Sequence, residues 1–270
     1  MGVFDVLKSK DGRELPFDPA VLSREYSIDI QAEVVHSMLD YDEKRDADEA
    51  VYRILNTEEI IELRGIFEEL ECHQSICPLL TDDQSNYIGV YYTGPLEGKV
   101  CFLNHEETNL SPGFRSMERF ITKILQDPAA EWDELQHDYP ALTDHDDESQ
   151  QDIKVIADLD NLIMQENLDE DAKQQLIFSK LAIMPCSRME HICEYLLADD
   201  MYVQEKAIEM IRKRKYTPAA GHLFEVAKNG MHNGKVSAIL ALKEFKTAES
   251  KQLLKELKTV LPASYMMYMN

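Results

Sequence analysis

The chain has 270 residues, 44% of them hydrophobic, and carries 28 lysines and arginines against 51 aspartates and glutamates, a net charge of −23. This length and hydrophobic content suffice for two domains with buried cores. A surface this acidic repels nucleic-acid phosphates, so we expect no nucleic-acid binding through the general surface, whereas a basic protein would be attracted.

The cysteines and the N-terminal sequence bear on the compartment. The five cysteines, an odd number, are spread over the chain without the spacing of a disulfide scaffold, which fits a reducing compartment. The first residues include no long apolar run, so we expect neither a secretory signal nor a membrane anchor. The sequence therefore predicts a cytoplasmic protein that does not associate with a membrane.

Two helical regions are predicted in the N-terminal part. Residues 19–40 have apolar positions at mixed steps of three and four, and residues 40–48 form a charged break. A clearer helix follows, for which Thr57 is the predicted N-cap, while Glu58 and Glu59 suit the positive end of the helix dipole. Its apolar stripe consists of Ile60, Leu63, Phe67 and Leu70. This stripe needs another layer of structure to cover it.

A β-hairpin is predicted next along the chain. Residues 87–93 and 99–104 are rich in aromatic and β-branched side chains, and a five-residue loop that begins and ends with glycine separates them. An amphipathic helix follows, predicted from Phe114, Met117, Phe120, Ile121 and Ile124. Helix, hairpin and helix indicate the α+β class, with an antiparallel sheet packed by helices.

The hairpin region also resembles a known family. From residue 78 the sequence reads Pro-Leu-Leu, an acidic turn, the strand Asn-Tyr-Ile-Gly-Val-Tyr, a turn flanked by glycines, the strand Gly-Lys-Val-Cys-Phe-Leu-Asn-His-Glu-Glu and then a helix containing Phe120. Over about residues 50–126 this order resembles the SUKH superfamily, the Smi/Knr-type domain. The resemblance implies a sheet packed by helices and no established catalytic centre. It also implies bacterial members that act as immunity proteins against toxins, and fungal relatives that act as scaffolds.

Composition and charge distinguish the second half of the chain from the first. Residues 127–151 are dominated by Asp, Glu, Pro and His, which predicts an acidic linker, although Trp132, Leu135 and Tyr139 could instead pack a short helix against a neighbouring domain. Residues 172–270 carry 15 lysines and arginines against 10 aspartates and glutamates, a net charge of +5, so residues 1–171 carry −28. The acid is concentrated in the first part.

The second half is predicted to be helical and repetitive. Ala207, Ile208 and Ile211 precede Ala238, Ile239 and Leu242 by 31 residues, and Thr217, Leu223 and Phe224 precede Thr247, Leu253 and Leu254 by 30. A fainter copy spans about residues 172–200. Units of two short helices at this period are similar to HEAT-like repeats. The predicted organisation is a SUKH-like α+β domain at 1–126, an acidic linker at 127–151, and a smaller all-α domain of HEAT-like helical repeats at 152–270.

The sequence does not contain the catalytic and metal-binding motifs that we considered. A zinc site from Cys72, His73, Cys77, His105 and Glu106 lacks the second regularly spaced ligand pair, and Asn109 stands where a His-Glu-x-x-His motif requires histidine. We expect these cysteines instead to be buried and to pack as small hydrophobic residues. The sequence contains no Gly-x-Ser-x-Gly elbow and no glycine-rich phosphate loop. We therefore expect no enzyme, no cofactor and no bound metal.

The predicted function is protein binding. The candidate partner-binding residues lie on the hairpin and its exit, and they are Tyr87, Tyr91, Asn104, His105, Glu106 and Glu107. The alternative for the exit residues is a loop that caps the next helix. We expect a bacterial immunity protein that binds a basic toxin and neutralises it by occlusion. The alternative is an intracellular scaffold or regulatory adaptor that binds a protein or peptide through the helical repeats.

Overall fold

The computed structural model describes residues 14–67, 74–104, 109–165 and 167–269. Its strands are β1 Arg53–Ile54, β2 Ile76–Thr81, β3 Tyr87–Tyr91, β4 Val100–Leu103 and β5 Pro112–Phe114. Its α-helices are α1 Pro19–Tyr26, α2 Ala32–Lys44, α3 Thr57–Phe67, α4 Met117–Gln126, α5 Asp146–Ile163, α6 Glu170–Ile183, α7 Met201–Lys213, α8 Ala220–Asn229, α9 His232–Phe245, α10 Ala248–Val260 and α11 Met266–Met269. Three-residue 3-10 segments lie at Trp132–Glu134, Thr217–Ala219 and Ala263–Tyr265, and a longer one, interrupted at Arg188, spans Cys186–Leu197.

The described strands form one antiparallel sheet in the order β1-β2-β3-β4-β5, so each strand pairs with its neighbour in sequence. Strands β3 and β4 pair from Tyr87 opposite Leu103 to Val90 opposite Val100, which confirms the predicted hairpin. A single cluster of buried side chains joins α1 to α4 with all of these strands. The predicted α+β class, an antiparallel sheet packed by helices with a helical portion, is confirmed.

Hydrogen bonds at the start of α3 correct one prediction. The Asn56 side chain accepts a bond from the Glu59 N–H at 3.0 Å, and the Glu59 carboxylate accepts one from the Asn56 N–H at 2.8 Å. This reciprocal pair is a capping box, so Asn56 caps the helix and the predicted cap, Thr57, is its first residue. The Thr57 hydroxyl instead accepts a bond from the Asp18 N–H at 2.8 Å, which ties α1 to α3.

Residues 127–139, within the predicted linker, are packed into the core in this structure. Trp132 is 8% exposed, and its ring stacks on Phe102 with centroids 5.3 Å apart. The N–H groups of Asp138 and Tyr139 both donate to the Gly113 carbonyl, at 2.9 and 3.0 Å. Composition describes this segment as acidic, but its few apolar residues form the contacts that place it against β5.

The chain divides into two compact units. Unit 1 comprises residues 1–139 and 164–176, and unit 2 comprises residues 140–163 and 177–270. Counted over these ranges, unit 2 carries 15 lysines and arginines against 17 aspartates and glutamates, a net charge of −2. Unit 1 therefore carries −21 of the chain's −23. The acid is concentrated on the unit that contains the sheet.

In unit 2, helices α7 and α9 run side by side in the same direction. Asn233, at the start of α9, donates to the Met201 sulfur at the start of α7 at 3.8 Å, and Arg212 lies 3.8 Å from Glu244 at their other ends. Helix α8 packs on α9. Of the residues aligned at the predicted repeat offset, those on α7 and α9 are buried, as are Leu223 and Phe224, whereas Leu253 and Leu254 are half-buried.

The basic run at residues 212–215 lies at the end of α7. Arg214 donates to three carbonyl oxygens, those of Ala141 at 3.1 Å, Ala182 at 2.9 Å and Met184 at 2.7 Å. Burial lowers the pKa of this guanidinium to about 10. Arg214 therefore holds together the C-terminal end of α6 and two loops of unit 2.

Replacing Gly113 by alanine tests the contact with Trp132. A Cβ at Gly113 would lie 2.4 Å from the indole Cζ2, so Gly113→Ala should lower the free energy of unfolding of unit 1 by about 1–3 kcal/mol. The matched control is Gly65→Ala, where a Cβ on helix α3 meets nothing within 4 Å, and it should stabilise by about 0.5–1 kcal/mol. The measurement is urea unfolding followed by fluorescence of the chain's single tryptophan. Equal stability of Gly113→Ala and the unmodified chain would contradict this packing.

Candidate functional site

The structure describes three of the six predicted partner-binding residues, and Tyr91 lies apart from Tyr87 and Asn104. Tyr87 and Tyr91 are the first and last residues of β3, so about 13 Å separates them at the usual rise per residue. Asn104 follows β4 and is half-buried beside the Tyr87 end, because Tyr87 pairs with Leu103. His105, Glu106 and Glu107 lie outside the described residues.

Tyr91 is a core residue, which corrects its prediction as a partner-binding residue. Its side chain is 5% exposed, and its hydroxyl donates to the Leu110 carbonyl at 2.7 Å. The bond holds the segment that leads into β5. A side chain this buried offers no ring surface to a partner. The alternating pattern of β3 identified a face, but it did not show that both faces of this strand are covered.

A groove lies between α2, α4 and the β3–β4 turn of unit 1, and we name it the α2–α4 groove. Its volume is about 710 Å³. Val34 and Met117 also line it, but they are only 4% and 1% exposed and belong to the core. The charged residues of its lining are Glu33, Asp40, Glu97, Glu118 and Arg115. The groove is therefore lined mainly by polar and acidic residues.

Local structure places each part of this groove. The turn between β3 and β4 uses Gly94 and Gly98, whose φ angles of 80° and 81° disfavour side chains. Gln31, immediately before α2, donates to the Glu97 carboxylate at 2.7 Å and ties that turn to the helix. Ser116 caps α4 by accepting a bond from the Arg119 N–H at 3.3 Å.

The charge of the groove is strongly one-sided. Four carboxylates and one guanidinium line it, a net of −3 with His36 neutral. Arg115 is turned toward Tyr139, since its Nη1 donates to that hydroxyl at 3.0 Å and its Cζ lies 4.6 Å from the ring centroid. Asp40 pairs with Lys44 at 2.6 Å in an exposed ion pair that contributes little. The carboxylates of Glu33 and Glu118 are exposed at the rim and can pair with an incoming cation.

His36 adds a polar group to the groove. Its Nδ1 lies 2.7 Å from the Ala32 carbonyl oxygen, which can only accept, so Nδ1 carries the proton. In the neutral ring Nε2 is then a hydrogen-bond acceptor, suited to a lysine or arginine donor. The groove thus presents acceptors, a property that favours cationic ligands.

A second, smaller cavity contains Tyr87, and we name it the Tyr87 pocket. It lies between α3, β1 and the β2–β3 turn, with a volume of about 320 Å³. Arg53 donates to both oxygens of Glu59, at 3.0 and 2.8 Å, and its Nε donates to Asp83 at 2.8 Å. The hydrogen bonds from Arg53 lower the pKa of Glu59. The remaining lining residues are Leu55, Glu62, Leu63, Ile66, Thr81 and Ser85.

The cysteines and acids that could bind a metal are dispersed. No group of three or more His, Cys, Asp or Glu side chains with a metal-binding arrangement is found among the described residues. Cys77 and Cys101 are buried in β2 and β4, and burial raises the pKa of Cys77 to about 12 and that of Cys101 further. Cys72 and His73 lie outside the described ranges. Among the helices described, none combines the length and the apolar character needed to cross a membrane.

Sequence reasoning missed the α2–α4 groove. Its acids come from three separate places in the chain, and only the packing of α2 against α4 brings them together. The tie between Gln31 and Glu97 spans 66 residues, which no local pattern reports. The available signal was the excess of acid in the first part of the chain, which indicates a charged surface without locating it.

Comparison with known proteins does not identify the chain. No protein-family model matches it, and no curated protein and no solved structure matches it. The resemblance to the SUKH superfamily therefore stays a prediction. The function has to be inferred from the groove, the pocket and the distribution of charge.

Two tyrosine variants separate a core role from a surface role on β3. Tyr91→Phe leaves the Leu110 carbonyl without this buried donor, so it should lower the free energy of unfolding by about 1–2 kcal/mol. Tyr87→Phe is the matched control, because no described group bonds its hydroxyl, and it should change stability by less than about 0.5 kcal/mol. Urea unfolding of both variants gives the comparison. Equal losses would contradict the assignment of Tyr91 to the core.

The Arg53–Glu59 pair predicts a dependence of stability on pH. The pKa of Glu59 is lower in the folded chain than its ordinary 4.5, so the pair's contribution is present above that pH and is lost as the pH falls through the folded pKa. Arg53→Met should raise the Glu59 pKa toward 4.5, as measured by NMR titration of the carboxyl carbon. Arg24→Met, which removes an exposed arginine paired with Glu25, is the control. An unchanged Glu59 titration in Arg53→Met would contradict the assigned cause.

Proposed function

We propose that the chain is a non-enzymatic protein-binding protein, a bacterial immunity protein that neutralises a basic toxin by occlusion. The observation that carries this proposal is the α2–α4 groove, which is lined by four carboxylates and one engaged guanidinium. Such a surface suits a protein segment that carries lysine or arginine side chains. The SUKH-like sequence pattern supports the same class of function.

The charge of unit 1 supports a basic partner. A net charge of −21 on one unit produces a field that accelerates encounter with a positive surface and disfavours acidic partners. The exposed carboxylates of Glu33 and Glu118 in the groove would then pair with lysine or arginine side chains of the docked partner. Steering and docking are thus supplied by the same unit.

One observation favours the alternative, a scaffold that binds through unit 2. Leu197, Tyr202 and Met231 are 77%, 59% and 55% exposed. Tyr202 and Met231 lie at the N-terminal ends of α7 and α9, which are next to each other. Exposed apolar side chains of this size are common at protein-binding surfaces.

Substituting Tyr202 by serine discriminates the two functions, because it should weaken partner binding through unit 2 and leave toxin binding through unit 1 unchanged.

Neutralising the groove tests the proposed function. The probe is a purified basic toxin, which has first to be sought among the products of the genes next to that of this chain. Glu33→Gln/Glu118→Gln should weaken its binding by about tenfold and flatten the dependence of the dissociation constant on salt, because two rim carboxylates are removed. The control is Glu58→Gln/Glu249→Gln, which removes the same charge from the first turns of α3 and α10.

Isothermal titration calorimetry at several salt concentrations measures both effects, and a growth assay with co-expressed toxin reports neutralisation. Equal weakening by the groove and control variants would reduce the groove to a part of the general negative surface. Absence of any tight basic partner, or neutralisation by cleavage of the toxin, would contradict the proposed function itself.

A further inference from the structure

We propose that the Tyr87 pocket receives a single arginine side chain of the protein that docks on unit 1. This inference rests on the proposed function and specifies a second contact, separate from the α2–α4 groove. The pocket combines three features that an arginine requires, namely a small cavity, an apolar wall for its methylene groups, and carboxylates with an aromatic face for its guanidinium.

The size of the pocket fits a side chain better than a whole ligand. Its volume of about 320 Å³ is at the lower end of the range of small-molecule sites, about 300–1,000 Å³. One wall is formed by α3, where Leu63 is half-buried and Ile66 is 59% exposed. The methylene groups of an inserted side chain would cover this exposed isoleucine and remove apolar surface from water.

The charge of the pocket requires a cation. Glu59, Glu62 and Asp83 line it together with Arg53, a net charge of −2. Arg53 occupies both oxygens of Glu59 but only one oxygen of Asp83. Glu62 is exposed and makes no hydrogen bond or ion pair with the described residues. The second oxygen of Asp83 and the Glu62 carboxylate thus remain for an incoming guanidinium, and the pocket would still be negative with it bound.

Tyr87 provides the face of the site. Tyr87 lines the pocket, is half-buried and packs against the core. A guanidinium stacks on a tyrosine ring and can at the same time donate in its own plane to carboxylates. The Tyr87 hydroxyl, which no described group bonds, adds a further acceptor.

Other occupants fit less well. An apolar side chain would cover Ile66 but would take carboxylates out of water without compensation. An acidic one would be repelled by the net charge. A lysine ammonium can pair with one carboxylate, but it lacks the planar set of donors that reaches Asp83, Glu62 and the ring together. The combination therefore favours arginine.

The test uses the full chain and a probe that needs no partner protein. N-acetyl-arginine methylamide is titrated against the protein, and binding is followed by NMR through the Ile66 methyl and Tyr87 ring signals. Saturable shifts at both residues are expected, with a dissociation constant in the millimolar range, on the order of what one exposed contact provides. The citrulline analogue, which has the same shape without charge, should bind about tenfold more weakly or not at all.

Variants locate the site. Glu62→Gln should weaken binding of the arginine probe by about threefold or more. Glu118→Gln removes the same charge from the α2–α4 groove and should leave the probe's affinity unchanged. The inference is overturned if the arginine probe does not shift the NMR signals of Ile66 and Tyr87, or if the two variants have equal effects on its affinity. It is also overturned if the citrulline analogue, or the corresponding lysine derivative, binds as tightly as the arginine probe. Because no toxin is present, these results are independent of the calorimetric test of the proposed function.

Discussion

The contact of the Trp132 indole with the bare backbone of Gly113 is the constraint on which the arrangement of unit 1 depends. A β-carbon at Gly113 would lie 2.4 Å from the indole Cζ2, so glycine lets residues 127–139 return across β5 without displacing the ring. That return places Asp138, whose carboxylate accepts from the Arg115 N–H at 2.9 Å and from the Arg119 side chain at 3.0 Å. The start of α4, which forms one side of the α2–α4 groove, is therefore held by a segment that follows it in the chain.

A division of charge accompanies this architecture. Almost all of the excess acid belongs to unit 1, and within it the acids of the groove surround buried Val34 and Met117. Carboxylates at this density repel one another and so lower the stability of the unit that carries them. A basic partner would relieve that repulsion, because its cations replace the solvent and salt around the rim. Binding and stability are expected to be linked for this reason, and the ligand should stabilise the folded unit.

Short-range signals in the sequence predicted much of the fold, and contacts between distant segments account for what they missed. The glycines at 94 and 98 and the flanking β-branched residues were enough for the hairpin. Polar composition at 127–151 predicted a linker, although Trp132 within it is buried against β4 and β5. Tyr91 was predicted to bind a partner because the Leu110 carbonyl, which accepts its hydroxyl in the core, is 19 residues away. The groove acids could not be located without the packing of α2 on α4.

The central claim is that a basic protein docks on the acidic face of unit 1. Carboxyl-group footprinting, in which exposed acids are labelled and quantified by mass spectrometry, tests it directly on the full chain with and without the bound toxin. The account predicts protection of Glu33, Glu97 and Glu118 in the complex, with Glu249 on α10 labelled equally in both samples. Undiminished labelling of the groove acids, or protection confined to unit 2, would contradict it.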